Sequence, residues 1–188
     1  MNLIIFGPPG AGKGTQADFI VNKYNLHQLS TGAVLRNEIK NETELGTKIS
    51  SIINSGTLVS DNIVKKLVEN FISDSDYKDR LIFDGYPRNL IQAKTLNELL
   101  NKYNQKIDLV LKLSVSLETI KKRISERRTL ENRTDDSEDI AIKRFKTYEK
   151  STEPVIEYYK KLNLLKVIDG ERSIDQINKE ISDIIDLI

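Results

Sequence analysis

Residues 7–16 read GPPGAGKGTQ, directly after the apolar, β-branched run NLIIF at 2–6. Few short stretches restrict a fold so tightly. A buried strand has to end, turn through several glycines and open a helix near Lys13. Gly7, Gly10, Gly12 and Gly14 permit backbone angles and close approaches that a side chain blocks. In such a loop backbone N–H groups converge, and the helix start adds about half a positive charge. Lys13 brings a full one. Two readings stand: a glycine-rich strand-to-helix turn without a ligand, or a cradle for phosphate. The strand before and the helix after are the context that favours the cradle. One detail departs from the common pattern. There Ser or Thr follows the lysine at once and its hydroxyl grips Mg²⁺; here Gly14 follows Lys13 and the hydroxyl arrives at Thr15.

Beyond the loop, strand-like and helix-like segments alternate. HQLS (27–30), RLIFD (80–84), DLVLKLSV (108–115) and LLKVID (164–169) read as strands. Helices are expected over 13–24, 32–41, 45–55, 60–72, 89–103, 116–127 and 173–186. Gly56 should end the third of these. In SDNIVKKLVENFI either Ser60 or Asp61 is placed to cap, ahead of apolar residues at helical spacing. The polar stretch 127–139 reads as a loop. A long helix is expected from about Ile140 to Leu162, kinked or interrupted at Pro154. Strands separated by helices imply right-handed βαβ crossovers and a parallel sheet covered on both faces.

With 188 residues and no repeat, low-complexity tract or long linker, the chain suits a single core with small insertions. The net charge of +1 gives no sign of nucleic acid or an anionic membrane as partner. No apolar run approaches the ~20 residues that span a bilayer. The absence of cysteine removes disulfides and Cys-ligated zinc, and fits a reducing, cytoplasmic setting.

GPPGAGKGTQ in this form resembles the nucleoside monophosphate kinases, adenylate kinases above all. STGAVLR (30–36), GTLVSD (56–61), FDGYPRNLIQA (83–93), RISERR (123–128), ENRTDD (131–136) and KRF (143–145) follow in that family's order and spacing. The resemblance implies a P-loop NTPase α/β fold: three αβα layers around a five-stranded parallel sheet of order 2-3-1-4-5. A helical AMP-binding flap would span 30–59 and a short lid 126–136, with 1–29, 60–125 and 137–188 as core. It implies reversible, Mg²⁺-dependent transfer of the terminal phosphoryl group from ATP to AMP, giving two ADP. It also resolves the displaced hydroxyl. In this family the metal is held mainly by nucleotide phosphates and water, so the position after the lysine need not ligate it. Asp84 looks like the carboxylate that orients the metal's water shell; on its own it reads equally as a strand-end carboxylate capping a turn.

Residue by residue, the resemblance places Gly10, Ala11, Gly12, Lys13, Gly14, Thr15, Arg123, Arg127 and Arg172 at ATP. At AMP it places Thr31, Arg36, Thr57, Leu58, Val59, Gly85, Tyr86, Pro87, Arg88, Gln92, Arg133 and Arg144. A cis peptide is expected before Pro87, aiming Arg88 at the acceptor phosphate, with Gln92 on the same helical face. Thr31 with Gln92 is the family's adenine-type pair; its pyrimidine kinases tend to carry Ala and Asn there. Lys13, Arg88, Arg123, Arg127, Arg133 and Arg144 form the expected catalytic set. Arg123, Arg127, Arg128, Arg133 and Arg144 flank one polar loop, and planar guanidinium groups suit a polyphosphate. Asp135 and Asp136 would orient these arginines. The short lid lacks the longer insertion and its zinc site. His27 reads as structural or exposed. Where the family commonly has Asp, this chain has Ala33, which bears on local capping. The chain is expected to act as a monomer on ATP, AMP and ADP. Two rivals remain: a UMP/CMP kinase, and a nucleotide switch that hydrolyses slowly, although no N-K-x-D guanine motif is present.

Overall fold

The computed structural model describes residues 1–131 and 137–188, with the backbone alone at 128–131. Among the described residues five strands pair in parallel: β1 (Leu3–Phe6), β2 (His27–Ser30), β3 (Leu81–Asp84), β4 (Leu109–Ser114) and β5 (Leu165–Asp169). Their order is β2-β3-β1-β4-β5, as the resemblance implies. Register brings Ile5 level with Asp84 and Leu111, so the carboxyl ends of the central strands finish at one height.

Alternation along β1 builds two layers of core. Leu3 and Ile5 join Ala17 and Ile20 of α1 (Lys13–Tyr24) and Ile177 and Ile181 of α9 (Ile174–Ile185). Ile4 and Phe6 face the other way. They pack with Val64 and Val68 of α4 (Asp61–Ser73), Ala93 and Leu96 of α5 (Leu90–Lys102), and Val155 and Tyr159 of α8 (Glu153–Lys161). A strand covered on both faces reads as a continuous apolar run, which is why NLIIF lacks a polar alternation. His27 is structural, its ring packed 4.6 Å from that of Tyr77.

Between β2 and α4 lie α2 (Thr31–Lys40) and α3 (Glu44–Asn54), a helical hairpin whose Leu35 and Ile49 enter the same core as Ile4 and Phe6. Thr43 caps α3: its Oγ1 accepts from the Gly46 N–H at 2.9 Å and donates to Glu38 Oε2 at 2.6 Å. Gly46 lies so close to α2 that a Cβ would stand 2.1 Å from the Glu38 carbonyl oxygen. Gly56, at φ 71°, turns the chain out of the hairpin. By contrast α2, with Ala33 in its first turn, begins with no side-chain cap and no acidic residue there.

Three sequence expectations change in detail. The polar stretch after 127 is not all loop, because α6 (Leu117–Glu131) continues through RRTLE. Arg, Leu and Glu are strong helix formers, and polarity alone does not end a helix. The expected helix over 140–162 is two: α7 (Glu138–Ser151) and α8, with Pro154 in the first turn of α8, where its missing N–H costs nothing. Ser60 occupies the N-cap of α4 but its side chain makes no capping bond. Asp61 faces α5 instead, and accepts from Asn89 and Gln92.

Gly46→Ala should force α2 and α3 apart, since the clash is with backbone and no rotamer relieves it. The expected loss is about 1–3 kcal/mol of unfolding free energy by urea titration. An unchanged midpoint would show that the hairpin is not held by this contact.

Candidate active site

Three parallel strands end side by side and each delivers one wall. From β1 comes the glycine loop, with Gly10 at φ 84° and Gly12 at φ 90°. A Cβ on Gly10 would meet Ile124 Cγ1 at 2.9 Å, so α6 presses directly on the loop. Gly12 is the N-cap of α1, which points its first N–H groups into the loop. From β2 comes Thr31, and from β3 come Asp84 and Gly85.

Lys13 opens α1 and its ammonium folds back over the loop. It donates to the carbonyl oxygens of Gly7 at 2.8 Å and Pro8 at 3.1 Å. Loss of solvation pushes its pKa down to about 8; Arg88, Arg144 and Arg127 add to the depression and Asp84 opposes it. Arg88 behaves likewise. Desolvation first, then Arg144 and Arg36, push its guanidinium down to about 10, again against Asp84. The fold thus concentrates Lys13, Arg36, Arg88, Arg127 and Arg144 around one carboxylate, in surroundings that disfavour charge.

Asp84 ends β3 at 9% exposure and accepts from Gln28 Nε2 at 3.1 Å. The peptide Tyr86–Pro87 is cis, as expected, and Gly85 is left-handed at φ 75°. The Gly85 carbonyl accepts from Thr31 Oγ1 at 3.0 Å and from Arg88 Nε at 2.7 Å. A Cβ on Gly85 would stand 3.0 Å from Arg88 Nη2 and 3.1 Å from Thr31 Oγ1. Arg88 is not on the helix with Gln92: it precedes the N-cap Asn89, and α5 starts at Leu90. The two meet because Gln92 reaches back and its Oε1 accepts from the Arg88 N–H at 2.7 Å.

One cleft joins these parts. Lys13, Thr31, Arg36, Thr57, Leu58, Val59, Gly85, Pro87, Arg88, Gln92 and Arg144 all line it, and Tyr86 is buried beneath at 1% exposure. Arg133, Arg128, Asp135 and Asp136 lie outside the residues whose side chains are described. Arg123 sits beside the glycine loop, donating to the carbonyls of Gly170 at 2.9 Å and Ala11 at 3.4 Å. Ala11 is buried, while Gly14 and Thr15 are exposed at the start of α1. Arg172 pairs with Glu180 and with Asp169.

A family model described as adenylate kinase matches residues 5–164 of this chain. The chain belongs to the adenylate kinase family. An adenylate kinase of Pelagibacter ubique is 44% identical over 211 aligned positions, covering 98% of this chain and 99% of the relative. One of Archaeoglobus fulgidus is 38% identical across 100% of this chain and 99% of its own length. One of Bartonella henselae is 40% identical over 191 positions, covering 98% and 100%. The alignment with the Pelagibacter adenylate kinase is longer than this chain, so that relative holds segments missing here, whereas the Bartonella adenylate kinase is nearly the same length. Membership makes the chain an enzyme, a kinase with a P-loop. No described helix is long and apolar enough to cross a membrane.

Several cleft residues carried no sequence signal. Thr147, Tyr148 and Thr152 line the cleft from α7 and the break before α8. Thr152 Oγ1 donates to the Arg88 carbonyl at 3.1 Å, tying that loop to the far helices. Only the neighbouring Pro154 hinted that the chain turns here.

The depressed Lys13 fixes the sign of one pH effect. With its pKa pushed down to about 8, Lys13 of the unliganded protein is neutral to a much greater extent near pH ~8.5 than an unperturbed lysine. A polyphosphate raises the pKa, so binding ATP near that pH should take up protons. Calorimetry in two buffers of different ionisation enthalpy reads the uptake, and Lys13→Met should abolish it. Uptake that survives Lys13→Met assigns the proton elsewhere.

Proposed function

We propose that this enzyme reversibly transfers the terminal phosphoryl group of ATP to AMP, giving two ADP, and serves adenine nucleotide homeostasis and salvage. The observation that carries this reading is the cluster of cations at the carboxyl ends of β1 and β3, held there against burial and the repulsion of neighbouring arginines. Cations held together at that expense call for a polyanion, and a cleft lined by Thr31, Arg36 and Gln92 next to Lys13 offers a second nucleotide a place beside the first.

In the transfer an oxygen of the AMP phosphate attacks the γ-phosphorus, and the bond from that phosphorus to the β–γ bridging oxygen breaks. The acceptor monoester, with a second pKa near ~6, is already a dianion at neutral pH, so no general base is required. Charge compensation and alignment remain. We assign Lys13 and the N–H groups of Gly10, Ala11, Gly12, Gly14 and Thr15 to the ATP phosphates. Nothing lies within 4 Å of a Cβ placed on Gly14, so packing within the protein does not require that glycine; close approach of a phosphate does. Arg88 and Arg36 take the AMP phosphate, with Arg123, Arg127, Arg133 and Arg144 completing the clamp. Thr31, Gln92 and the Thr57–Val59 segment, with Gly85, Tyr86 and Pro87 below, take the AMP base and ribose side. Arg172 belongs to the adenine end of the ATP site, where its pairing with Glu180 shapes the loop.

Mg²⁺, when bound with the nucleotides, would supply neutralising charge to the phosphates in transfer. Among the described residues no group of three or more metal-ligating side chains forms. We assign the metal chiefly to phosphate oxygens and water, with Asp84 acting through water. We divide the chain into core (1–29, 60–125 and 137–188), acceptor flap (30–59) and short lid (126–136), working as a monomer in the cytoplasm.

Incubating the protein with ADP and Mg²⁺ should yield ATP and AMP in equal amounts. Inorganic phosphate as the main product would point to a hydrolysing switch, and faster turnover with UMP or CMP than with AMP to a pyrimidine kinase. Arg88→Lys should lower kcat by about 10²-fold or more while ATP affinity stays nearly unchanged. Arg88 spends its Nε on Gly85 and keeps a planar pair of Nη groups for phosphate, whereas one ammonium cannot serve both. A variant with unchanged turnover would remove Arg88 from the reaction.

A further inference from the structure

Gln92 is fixed at four points. Its N–H donates to Asn89 Oδ1 at 2.8 Å, and its carbonyl accepts from Tyr86 Oη at 3.2 Å. Its side-chain Oε1 accepts from the Arg88 N–H at 2.7 Å, and its Nε2 donates to Asp61 Oδ1 at 2.7 Å. Asn89 Nδ2 donates to the same Asp61 oxygen at 3.1 Å. Gln92 is only 3% exposed yet lines the cleft.

An amide can be turned over in its plane, exchanging donor for acceptor. Here both neighbours forbid it. A backbone N–H only donates, so it selects the amide oxygen. A carboxylate only accepts, so it selects the amide nitrogen. Asp61 stands in the first turn of α4, where the helix end favours negative charge. One N–H and one lone pair of Gln92 remain for a ligand, in a fixed order.

We propose that Asp61 is a positioning residue that sets the acceptor's base selectivity by locking the Gln92 amide. The inference rests on AMP as the acceptor. The Watson–Crick edge of adenine presents an acceptor at N1 and a donor at N6. Hypoxanthine presents the reverse, N1–H and a carbonyl at C6. A Gln92 amide locked in one sense pairs with the first and rejects the second, because two donors and two acceptors would be left facing each other. The carboxylate never meets the nucleotide; it acts by denying the amide its other orientation, and it ties α4, at the end of the flap segment, to the Arg88 loop.

The test is the ratio of kcat/KM for AMP to that for inosine monophosphate. Asp61→Leu removes the acceptor at similar volume and should lower the ratio roughly tenfold or more. Asp61→Asn keeps an oxygen able to accept from Nε2 and should hold the ratio within about threefold. Purely structural damage lowers both substrates together and leaves the ratio alone. An Asp61→Leu enzyme with the parental ratio overturns the inference. Should that variant fail to fold, the unsubstituted enzyme decides. Of the two Gln92 Nε2 protons, one should exchange with solvent markedly more slowly in side-chain amide NMR, and equal exchange overturns the proposal. Absence of any AMP-dependent ADP formation by the unsubstituted enzyme would instead sink the acceptor reading and leave the Asp61–Gln92 geometry standing.

Discussion

Lys13 and Arg88 sit where the carboxyl ends of β1 and β3 meet, in a space where burial first, and repulsion from neighbouring arginines second, make both harder to charge. Everything else at the site is arranged to tolerate that repulsion. Asp84 offsets part of it from the end of β3. Backbone carbonyls offset more: Gly7 and Pro8 hold the lysine, and Gly85 holds the arginine. These groups cannot relax away from one another, because strand register and the glycine turns fix where their backbones emerge. A site built this way is poised for an anion, since binding relieves both the desolvation and the mutual repulsion.

Rigidity in the surroundings follows from the same demand. The cleft draws on the glycine loop, the α2–α3 hairpin, the loop before α5 and the α7–α8 break. Each is pinned to its neighbours by specific contacts: Gly46 against Glu38, Thr152 to the Arg88 carbonyl, Arg123 to Ala11 and Gly170. Gly56 lies against α7 as well, where a Cβ would meet Arg144 Cγ and Ile140 Cγ2 at 3.2 Å. The turn that leaves the α2–α3 hairpin therefore packs against the helix that carries a cleft arginine, and a shift of one moves the wall of the other.

Much of this was legible in the chain. The β-branched run before GPPGAGKGTQ located the central strand, and the pattern of strand and helix segments gave the parallel sheet. Gly56 and the gap between the helices expected at 32–41 and 45–55 marked the hairpin. Locally coded features failed at particular places. RRTLE reads as loop because it is mostly polar, yet a helix needs only propensity there. Spacing sets Arg88 and Gln92 on one helical face, but Asn89 caps α5 between them, so their contact is a side chain reaching backwards. Thr152 and Tyr148 give no sign, and Asp61 reads only as a candidate cap, since nothing in their immediate neighbours records what packs opposite.

The sequence by itself determined the order of elements, the glycine loop and the set of cations, because these depend on backbone freedom, hydrophobic pattern and residue type over a few positions. Only the tertiary structure decided which of those cations share a desolvated space, and which way the Gln92 amide is held. Both depend on groups far apart in the chain, 75 residues between Lys13 and Arg88 and 31 between Asp61 and Gln92, that meet once the sheet and helices have packed. Charge repulsion and hydrogen-bond direction are set by distance and angle in space, and no local pattern carries them.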